Sequence, residues 1–574
     1  MQLRLRSLDD RLVQRISTAL RVHPVTARCL VARGVAEPQD AQGFIDPRLA
    51  ALRPPAGLAG LSVAVDRLGD AVMRGERIGI FGDYDVDGVT TAALLTAFLR
   101  ASGAQVEVAV ARRDAGYGFT ADAAAQFARQ GCTVVVTGDC GTSDLEALAA
   151  AASHGLEVIV IDHHTVPAAG GSHPSLALVN PLRSDSTFPF RGMASVGLAF
   201  YVAASLRTEL RDRGWYRDRA QPDVRELLDL VALGTVADLV PLTDENRILT
   251  SLGLRRLQSR SRPGIAALLA AAGVDAERAI DASTIAWKLA PRLNAPGRLG
   301  AAEPALALLL SDPHSAAVRA ADVEAANTQR RAIQDRVMDD VLAKLHANGT
   351  SENPGAAIVV AGESWPTGVV GIIAAKLVDK FHRPAFVIGV DPETGIGRGS
   401  ARTVPGVNLY EALRCAAPHL QRYGGHAAAA GFTVKADAVT GLSEALSDTC
   451  ARIAEGSAPV AAMVEIDAEI KLGDVDERLV DELSGLGPFG QQNPPPALVT
   501  RGVFVTSVRR VGDGAHLKLT VEDRHRATRD AIGFRLGDRA VEVGAKIDLT
   551  FVPRVATWQG RSCAELEMTD FAVV

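Results

Sequence analysis

The sequence feature that most limits the possible folds is a repeated unit of apolar strand, tight turn and helix. Near-continuous apolar runs occur in "RIGIFGD" (77–83), "CTVVVTGD" (132–139) and "LEVIVIDHH" (156–164). The first two are followed by Ala- and Leu-rich helical stretches, and the third by a loop. Strands that are apolar along their whole length and alternate with helices are typical of a parallel sheet covered on both faces. We therefore predict an α/β domain in this region.

Acidic and histidine residues follow each of these strands, and another acidic residue follows the apolar segment "DLVALGTVADLVPL" (229–242), again at an expected strand end. The carboxyl ends of parallel strands line the crevice where ligands bind. The candidate ligands are Asp83, Asp85, Asp87, Asp139, Asp162, His163, His164 and Asp238. Divalent cations relieve the mutual repulsion of such a group. Oxygen-rich ligation with histidine favours Mn²⁺ or Mg²⁺ over structural zinc. The number of anionic ligands predicts two ions, which can support displacement at phosphorus.

Other interpretations of the first motif fit less well. "DYDVDG" (83–88) is similar to the start of an EF-hand loop, but position twelve of that loop is Leu94 instead of the required Glu, so a calcium loop is excluded. A phosphatase with an aspartyl nucleophile would leave the "DHH" triplet (162–164) without a role. A solvated acidic turn remains an alternative for any one motif taken alone.

The chain length predicts several domains, because 574 residues exceed what one core supports. We expect a helical N-terminal segment (1–55), a catalytic α/β domain (56–314), a connecting helix (315–350), a second α/β domain (351–458) and a small β-barrel (459–574). The connecting helix is predicted because 315–347 contains no Gly or Pro. The barrel is predicted from short alternating strands with Gly-rich turns, as in an OB fold.

Charge and composition restrict the partners and the compartment. The net charge of −6 argues against coating nucleic acid by bulk basicity, although a locally basic groove is compatible with it. The six cysteines form no CxxC pair, which indicates a reducing compartment. The sequence shows no basic-then-apolar leader and no apolar run near the ~20 residues of a membrane helix. We therefore expect a cytoplasmic protein without a membrane partner.

Four motifs in order resemble the DHH phosphoesterase family: "FGDYDVDG" (81–88), "TGDCGT" (137–142), "IDHHT" (161–165) and "GTVADLVPL" (234–242). Further segments are similar to the bacterial single-strand exonucleases of that family, namely "NPLRSDSTFPFRGMASVGLAF" (180–200), "APRLNAPGRLGAA" (290–302), "GRGSAR" (397–402), "YGGHAAAAGF" (423–432) and "GPFGQQNPPP" (487–496). The resemblance implies an α/β multidomain fold. A DHH parallel-sheet domain is joined by a long helix to a DHH-associated α/β domain, and a C-terminal OB-fold β-barrel follows.

The resemblance also implies roles for individual residues. The metal ligands are Asp85, Asp87, Asp139, His163 and Asp238, with Asp83 standing near a position where many relatives have a histidine. His164 contacts the scissile phosphate and Asp162 orients a histidine, and we assign both as catalytic. The implied substrate-binding residues are Arg298, Arg398, Ser400, Arg402, Gly424, Gly425 and His426. Pro366 and Lys376 depart from the family pattern, which has His and Arg at these positions. Substrate affinity is the property that we expect these departures to affect.

The implied function is a metal-dependent exonuclease that degrades single-stranded DNA 5′→3′ to mononucleotides by two-metal hydrolysis, in recombination and repair. The barrel fits single-strand binding through charge and the aromatics Phe504, Phe534, Phe551 and Trp558. Single-strand-binding protein and a repair helicase are further expected partners. The alternatives are a DHH-type oligonucleotide or cyclic-dinucleotide phosphodiesterase and a non-enzymatic scaffold, and the intact ligands argue against the scaffold.

Overall fold

The N-terminal segment begins with a strand and continues as three helices. The computed structural model describes residues 2–574 except 114, 115, 117, 168–172, 351–354, 456–462 and 559–560. The elements of the segment are β1 (Gln2–Leu5), α1 (Asp10–Leu20), α2 (Pro24–Ala32) and α3 (Pro38–Ile45). The sequence-based expectation of a purely helical segment missed β1, which pairs in parallel with a strand near the C-terminus, Met463–Ile466. Ile16 and Leu30 are buried in the core of the C-terminal barrel, so this segment packs against the other end of the chain.

The first α/β domain contains the predicted parallel sheet. Its elements are α4 (Leu61–Arg74), β2 (Arg77–Gly82), α5 (Val86–Ala101), β3 (Gln105–Val110), α6 (Ala121–Arg129), β4 (Val134–Gly138), α7 (Leu145–Ser153), β5 (Glu157–Ile161) and β6 (Ala177–Val179). The strand order is β3-β2-β4-β5-β6, and all pairs are parallel. The three predicted strands are present as β2, β4 and β5. The two edge strands were not predicted: β3 alternates polar and apolar residues over most of its length, and β6 is only three residues long.

A helical region completes this domain and leads into one long helix. Its elements are α8 (Ser195–Asp212), α9 (Leu228–Ala237), α10 (Asp244–Gln258), α11 (Pro263–Ala271), α12 (Ala282–Thr284), a π-helical turn (Ile285–Leu289), α13 (Ala290–Leu299), α14 (Glu303–Leu309) and α15 (Ala316–Ala347). The 32 residues of α15 match the single helix expected from the stretch without Gly or Pro. The first half of α15 packs on α11, α13 and α14, and Val337, Val341 and Leu345 of its second half enter the core of the next domain.

The second α/β domain has a mixed sheet. Its elements are β7 (Ile358–Glu363), α16 (Thr367–Phe381), β8 (Ala385–Val390), β9 (Ile396–Arg402), α17 (Leu409–Cys415), β10 (Leu420–Gly425), β11 (Ala429–Lys435) and α18 (Val439–Glu455). The strand order is β10-β11-β9-β8-β7, with β7 and β8 parallel and the other pairs antiparallel. Helix α16 packs on β8 and β9, and α17 and α18 contribute to a separate core.

The C-terminal domain is a closed five-stranded barrel. Its elements are β12 (Met463–Ile466), β13 (Ala468–Glu469), α19 (Glu477–Ser484), β14 (Leu498–Val511), β15 (His516–Glu522), β16 (Thr528–Gly533), β17 (Lys546–Trp558) and β18 (Arg561–Val573). The pairing β14-β15-β16-β18-β17 closes because β17 also pairs with β14. Phe551 is buried in the barrel core, whereas Phe504 and Phe534 are exposed. The Trp558 side chain lies outside the described residues. In the described part of the chain, every helix is too short or too polar to cross a membrane.

A loop of the barrel domain, residues 485–493, contacts the first α/β domain. The buried Arg247 of α10 donates through Nη2 to the carbonyl of Gly487 at 2.6 Å and lies 3.7 Å above the ring of Phe44. The backbone amide of Leu242 donates to the carbonyl of Gln491 at 2.8 Å. The N-terminal segment, the first domain and the barrel therefore meet around Arg247.

Candidate metal centre and substrate cleft

The strand register of the parallel sheet places three candidate residues at one level. Gly82 at the end of β2 is paired with Gly138 at the end of β4, and Gly138 is paired with Ile161 at the end of β5. The next residues are Asp83, Asp139 and Asp162, and the amide of each donates to the carbonyl at or near the end of the neighbouring strand, at 3.0–3.1 Å. The sheet edge therefore brings these three carboxyl groups together, as the sequence predicts.

Asp85 and Asp87 are positioned by the start of helix α5. Asp85 is the N-cap, and its carboxylate accepts a hydrogen bond from the amide of Gly88 at 3.1 Å. A Cβ atom at Gly88 would lie 2.5 Å from the amide nitrogen of Asp83, so only glycine lets the helix begin this close to the strand end. Asp87 is consequently directed into the protein and is buried.

Helix α8 fixes Asp87 from the other side. The backbone amides of Ser195 and Val196 donate to the two carboxylate oxygens of Asp87, at 2.7 and 2.9 Å. The Ser195 hydroxyl also donates to Asp139 Oδ1 at 3.1 Å. A carboxylate at a helix N-terminus is favoured by the amide donors and by the helix dipole. Neither Ser195 nor Val196 was predicted to have a role, because no local pattern in "MASVGLAF" (193–200) marks them as partners of an aspartate more than 100 residues away.

Asp139 has a left-handed backbone conformation, with φ of 64°, and its side chain is buried. Such a conformation is uncommon for a residue with a Cβ, although Asp tolerates it better than most, and strained residues of this kind cluster at functional sites. The conformation follows β4 directly, at the point where a carboxylate is presented to both His163 and Ser195. The adjacent Cys140 is a buried packing residue whose Sγ lies 3.7 Å from the Gly138 carbonyl.

The Asp-His-His triplet has one internal and two outward-directed members. Asp162 is buried and accepts hydrogen bonds from the amides of Thr142, His163 and His164, and from Nδ1 of His164 at 2.7 Å. Asp162 therefore holds the ring of His164 through its Nδ1. Nε2 of His163 lies 3.3 Å from Asp139 Oδ1 and 3.4 Å from Asp238 Oδ2. His163 thus joins the sheet edge to the region around Asp238.

Asp238 follows a helix, so its expected position at a strand end is wrong. The apolar segment that precedes it forms α9, which is buried almost all around, and Asp238 is the C-cap of that helix. A short run that is apolar on every face has no periodicity to separate a buried helix from a buried strand. The side chain nevertheless reaches the predicted place beside His163.

The candidate ligands form three overlapping groups whose ligand atoms lie within 4.8 Å of one another. These groups are Asp83, Asp85 and Asp139; Asp87, His163 and Asp238; and Asp139, His163 and His164. Asp83 Oδ1, His163 Nε2 and Asp238 Oδ2 are buried and make no hydrogen bond within the described residues. Buried polar atoms without partners are costly. Their convergence, together with a carboxylate and imidazole donor set, fits one or two divalent cations.

The electrostatics of the cluster reflect crowded negative charge. Burial, and after it repulsion from Asp85 or Asp87, raises the pKa of four carboxyl groups in the cluster. The pKa of Asp83 and of Asp139 lies well above the usual range. The pKa of Asp87 is raised to about 7 and that of Asp238 to about 9. Burial and the charge of His164 lower the pKa of His163 to about 4. Burial lowers the pKa of His164, but the hydrogen bond from His164 to Asp162 outweighs burial and raises that pKa to about 9. Cations would relieve this repulsion and leave the carboxylates ionised.

A cluster of arginines lies between the two α/β domains, next to the metal ligands. Arg298 Nη1 donates to the Gly368 carbonyl at the start of α16 at 3.1 Å. Burial, and then the charges of Arg113, Arg330 and Arg402, lower the pKa of Arg298 to about 10, whereas Asp85 opposes that shift. Four guanidinium groups therefore share one region beside Asp85. Arg298 and Arg402 were predicted from their motifs, whereas Arg113 and Arg330 stand in no motif and were not predicted.

The remaining predicted substrate residues lie on the sheet of the second α/β domain. Ser400 and Arg402 are brought together, since Arg402 Nη1 donates to Ser400 Oγ at 3.2 Å. Arg398 lies on the same face of β9 and borders a separate cavity of about 580 Å³ whose lining includes Pro366. Gly424 and Gly425 are the last two residues of β10, and the exposed His426 follows them in the turn to β11.

Lys376 and Pro366, the two departures from the family pattern, lie on helix α16 and at its start. Pro366 is the N-cap of α16. Lys376 is half-exposed, and its Nζ lies 4.0 Å from Asp335 of α15. In this structure the lysine charge therefore faces the connecting helix.

A parallel sheet that carries aspartate and histidine ligands at its strand ends, opposite a second α/β domain, defines a phosphoesterase of the DHH class. Family models support this class: the DHH family N-terminal domain matches residues 77–235, the DHHA1 domain 353–452 and the RecJ OB domain 466–570. The chain belongs to the RecJ family. It is 35% identical over 573 residues to the "single-stranded-DNA-specific exonuclease RecJ" of Bacillus subtilis, which covers 98% of this chain and 70% of that protein.

Other relatives agree with this assignment. The RecJ of Escherichia coli is 35% identical over 538 residues, covering 91% of this chain and 90% of that protein. The solved structure of Thermus thermophilus RecJ with Mn²⁺ superposes with a TM-score of 0.83 at 28% identity, covering all of this chain and 79% of that one. The corresponding Mg²⁺ complex gives a TM-score of 0.78 at 27% identity, with coverages of 99% and 78%. The predicted cofactors, Mn²⁺ or Mg²⁺, are those of these two complexes, and the predicted fold class is confirmed.

Proposed function

We propose that this protein degrades single-stranded DNA from the 5′ end to mononucleotides, with two divalent cations, in DNA recombination and repair. The observation that carries the proposal is a pair of ligand groups, one containing Asp139 and the other containing His163. Four clustered arginines lie beside them. Ligands for two cations suit phosphodiester hydrolysis, and guanidinium groups suit phosphate recognition. The names of the relatives support single-stranded DNA as the substrate.

The ligands divide naturally between two ions. Asp83, Asp85 and Asp139 would hold one, and Asp87, His163 and Asp238 the other. When bound, the ions supply Lewis acidity at the phosphate and a water molecule of lowered pKa. The protein's own contribution is rigidity, because Asp87 is held through both oxygens by the first amides of α8.

His164 is assigned to the scissile phosphate and Asp162 to the orientation of His164. With Nδ1 donating to Asp162 at 2.7 Å, the ring is fixed and keeps its positive charge at neutral pH, since its pKa is raised to about 9. A charged imidazole donates to a phosphate oxygen and stabilises charge that develops there. Asp162 remains ionised, because the hydrogen bonds it accepts outweigh its burial and lower its pKa to about 2.

We infer that the arginine cluster binds the terminal phosphate of a strand that is degraded 5′→3′. Arg113, Arg298, Arg330 and Arg402 repel one another when no anion is bound. A terminal phosphate carries more negative charge than an internal one and relieves that repulsion best. Binding of the 5′-phosphate there, next to Asp85, would place the first phosphodiester at the metal ligands. Ser400 belongs to this subsite, and Arg398, Gly424, Gly425 and His426 are assigned to other phosphates of the strand.

The C-terminal barrel is assigned to binding of the strand beyond the metal centre, through exposed Phe504 and Phe534. We assign the domains to residues 1–55, 56–314, 315–350, 351–458 and 459–574. Single-strand-binding protein and a repair helicase are proposed as partners that deliver unpaired strand. A location in the cytoplasm, where bacterial DNA is repaired, fits this assignment.

Labelled oligonucleotides test the proposal. With Mn²⁺, a 5′-labelled single strand should release labelled mononucleotide at once, and a 3′-labelled strand should shorten progressively. Asp139→Ala should be inactive. Arg402→Lys should lose most of the preference for a 5′-phosphate over a 5′-hydroxyl, because Lys cannot make a bidentate contact. Arg414→Lys, at an exposed ion pair of the same domain, is the matched control. Rapid hydrolysis of a linear or cyclic dinucleotide with an untouched long strand would identify the protein as a small-substrate phosphodiesterase instead.

A further inference from the structure

Leu239 is in an unfavourable state for a leucine, directly after the candidate ligand Asp238. Its φ is 59°, in the left-handed region, and its side chain is 67% exposed. Among the described non-glycine residues with positive φ, Leu239 alone has an apolar side chain. The left-handed conformation is costly for a residue with a Cβ, and exposure of an aliphatic side chain adds a second cost. Folding alone therefore gives no reason for leucine at this position.

The segment around Leu239 is anchored on both sides. The amide of Asp238 donates to the Gly234 carbonyl at 2.9 Å, which closes helix α9. On the other side, the amide of Leu242 donates to the Gln491 carbonyl of the barrel loop at 2.8 Å, and Asn246 Nδ2 donates to the Pro241 carbonyl at 2.9 Å. The exposed leucine is therefore held between the metal ligands and the barrel. Strained residues that the surrounding structure holds in place cluster at functional sites.

We propose that Leu239 packs against a nucleobase of one of the first nucleotides of the bound strand and so selects unpaired DNA. This inference rests on the function proposed above. Consecutive Cα atoms are about 3.8 Å apart, so Leu239 directly adjoins the candidate ligand Asp238, and its exposed side chain would meet a nucleotide next to a phosphate bound at the metal ligands. The cations, His164 and the arginines are complementary in charge to the backbone of the strand. The apolar surface that a single strand offers is the face of its bases. Leucine is among the side chains that pack between unstacked bases, and a base so engaged is not stacked within a duplex.

Three substitutions separate base contact from backbone conformation. Leu239→Met keeps an apolar side chain, Leu239→Ala removes most of it, and Leu239→Asn replaces it with a polar residue that tolerates positive φ. Val63→Ala, at an exposed valine on α4, is the matched control. The substrates are a 5′-phosphorylated oligonucleotide and versions with one abasic nucleotide at each of the first four positions.

We expect Ala and Asn to raise KM for the intact strand roughly five- to tenfold with little change in kcat, and Met and the Val63 control to behave as the unsubstituted protein. At one abasic position, Leu239→Ala should cause no further rise in KM, because the contact is already lost. An equal effect of Leu239→Ala at all four abasic positions, or a fall in Mn²⁺-dependent thermal stability in place of a KM effect, would overturn the proposal. An unsubstituted protein that leaves every single strand intact would instead overturn the proposed function.

Discussion

Replacing Asp238 by Asn should stabilise the metal-free protein while destroying its ability to bind the second ion. Asp238 is largely buried, and its Oδ2 makes no hydrogen bond within the described residues. Burial and the charges of Asp87 and Asp85 raise its pKa to about 9. In the unfolded chain the pKa of an aspartate is about 3.9. The folded, metal-free protein must therefore keep a proton on this carboxyl over a wide pH range in which the unfolded chain loses it.

The magnitude follows from linkage between protonation and folding. Each unit of pKa difference corresponds to about 1.4 kcal/mol, so at about pH 7.5 Asp238 costs the metal-free fold on the order of 3 to 5 kcal/mol. Because its folded pKa is raised, the folded state binds the proton more tightly, and the penalty is absent below about pH 4. It grows as the pH rises and levels off near the folded pKa. Asn carries no ionisable proton, so Asp238→Asn removes this pH-dependent cost.

Thermal unfolding of the two proteins with EDTA and with Mn²⁺ measures this difference. With EDTA at about pH 8, the unfolding transition of the first α/β domain should lie several degrees higher in Asp238→Asn, and the difference should vanish near pH 4. With Mn²⁺ the order should reverse, because binding of a cation to the native state stabilises only the protein that has the full ligand set. Asp244→Asn, at a half-exposed ion pair with Arg53, controls for loss of a nearby charge. A metal-free Asp238→Asn protein that is less stable at both pH values would refute the reasoning.

Two further predictions concern other parts of the molecule. Removal of residues 459–574 alone should give insoluble protein, because Ile16 and Leu30 of the N-terminal segment lose the core into which they pack. Additional removal of residues 1–48 should restore the yield of soluble protein, as measured by gel filtration. Asp162→Asn should return the pKa of His164 from about 9 towards its ordinary value near 6.5, so that the ring loses its charge as the pH rises from 6 to 8. Histidine NMR of the metal-free protein measures this, and an unchanged titration would contradict the assignment.

The sequence was most informative where the position of a residue follows from the strand that precedes it. The apolar strands and their lengths predict the level at which Asp83, Asp139 and Asp162 emerge, since parallel pairing aligns the strand ends. It was least informative where the fold joins distant segments. The partners of Asp87 are backbone amides of α8, and a backbone amide leaves no signature in a sequence. Arg113 is another example, because any of many arginines could stand beside Arg298.

The packing of the N-terminal segment into the barrel likewise had no signal in the sequence, because the two segments are separated by more than 400 residues. The apolar face of α1 could equally have covered another surface. The same limit applies to Asp238, because the mostly apolar segment before it is buried on nearly all sides and lacks the periodicity that separates a helix from a strand.

These contacts give the barrel a part in building the metal centre. Asp83, Asp139 and Asp162 are fixed by the sheet, and Asp87 is fixed by the amides of α8. Asp238 depends instead on the connection between α9 and α10, which the barrel loop holds through the bond from Leu242 to Gln491 and through the buried Arg247. A displaced barrel would release that connection and leave Arg247 buried without its carbonyl acceptors, which is costly for a charged group. The connection that carries Asp238 and the barrel loop therefore share these contacts, so a shift of the loop acts directly on the segment that holds this ligand.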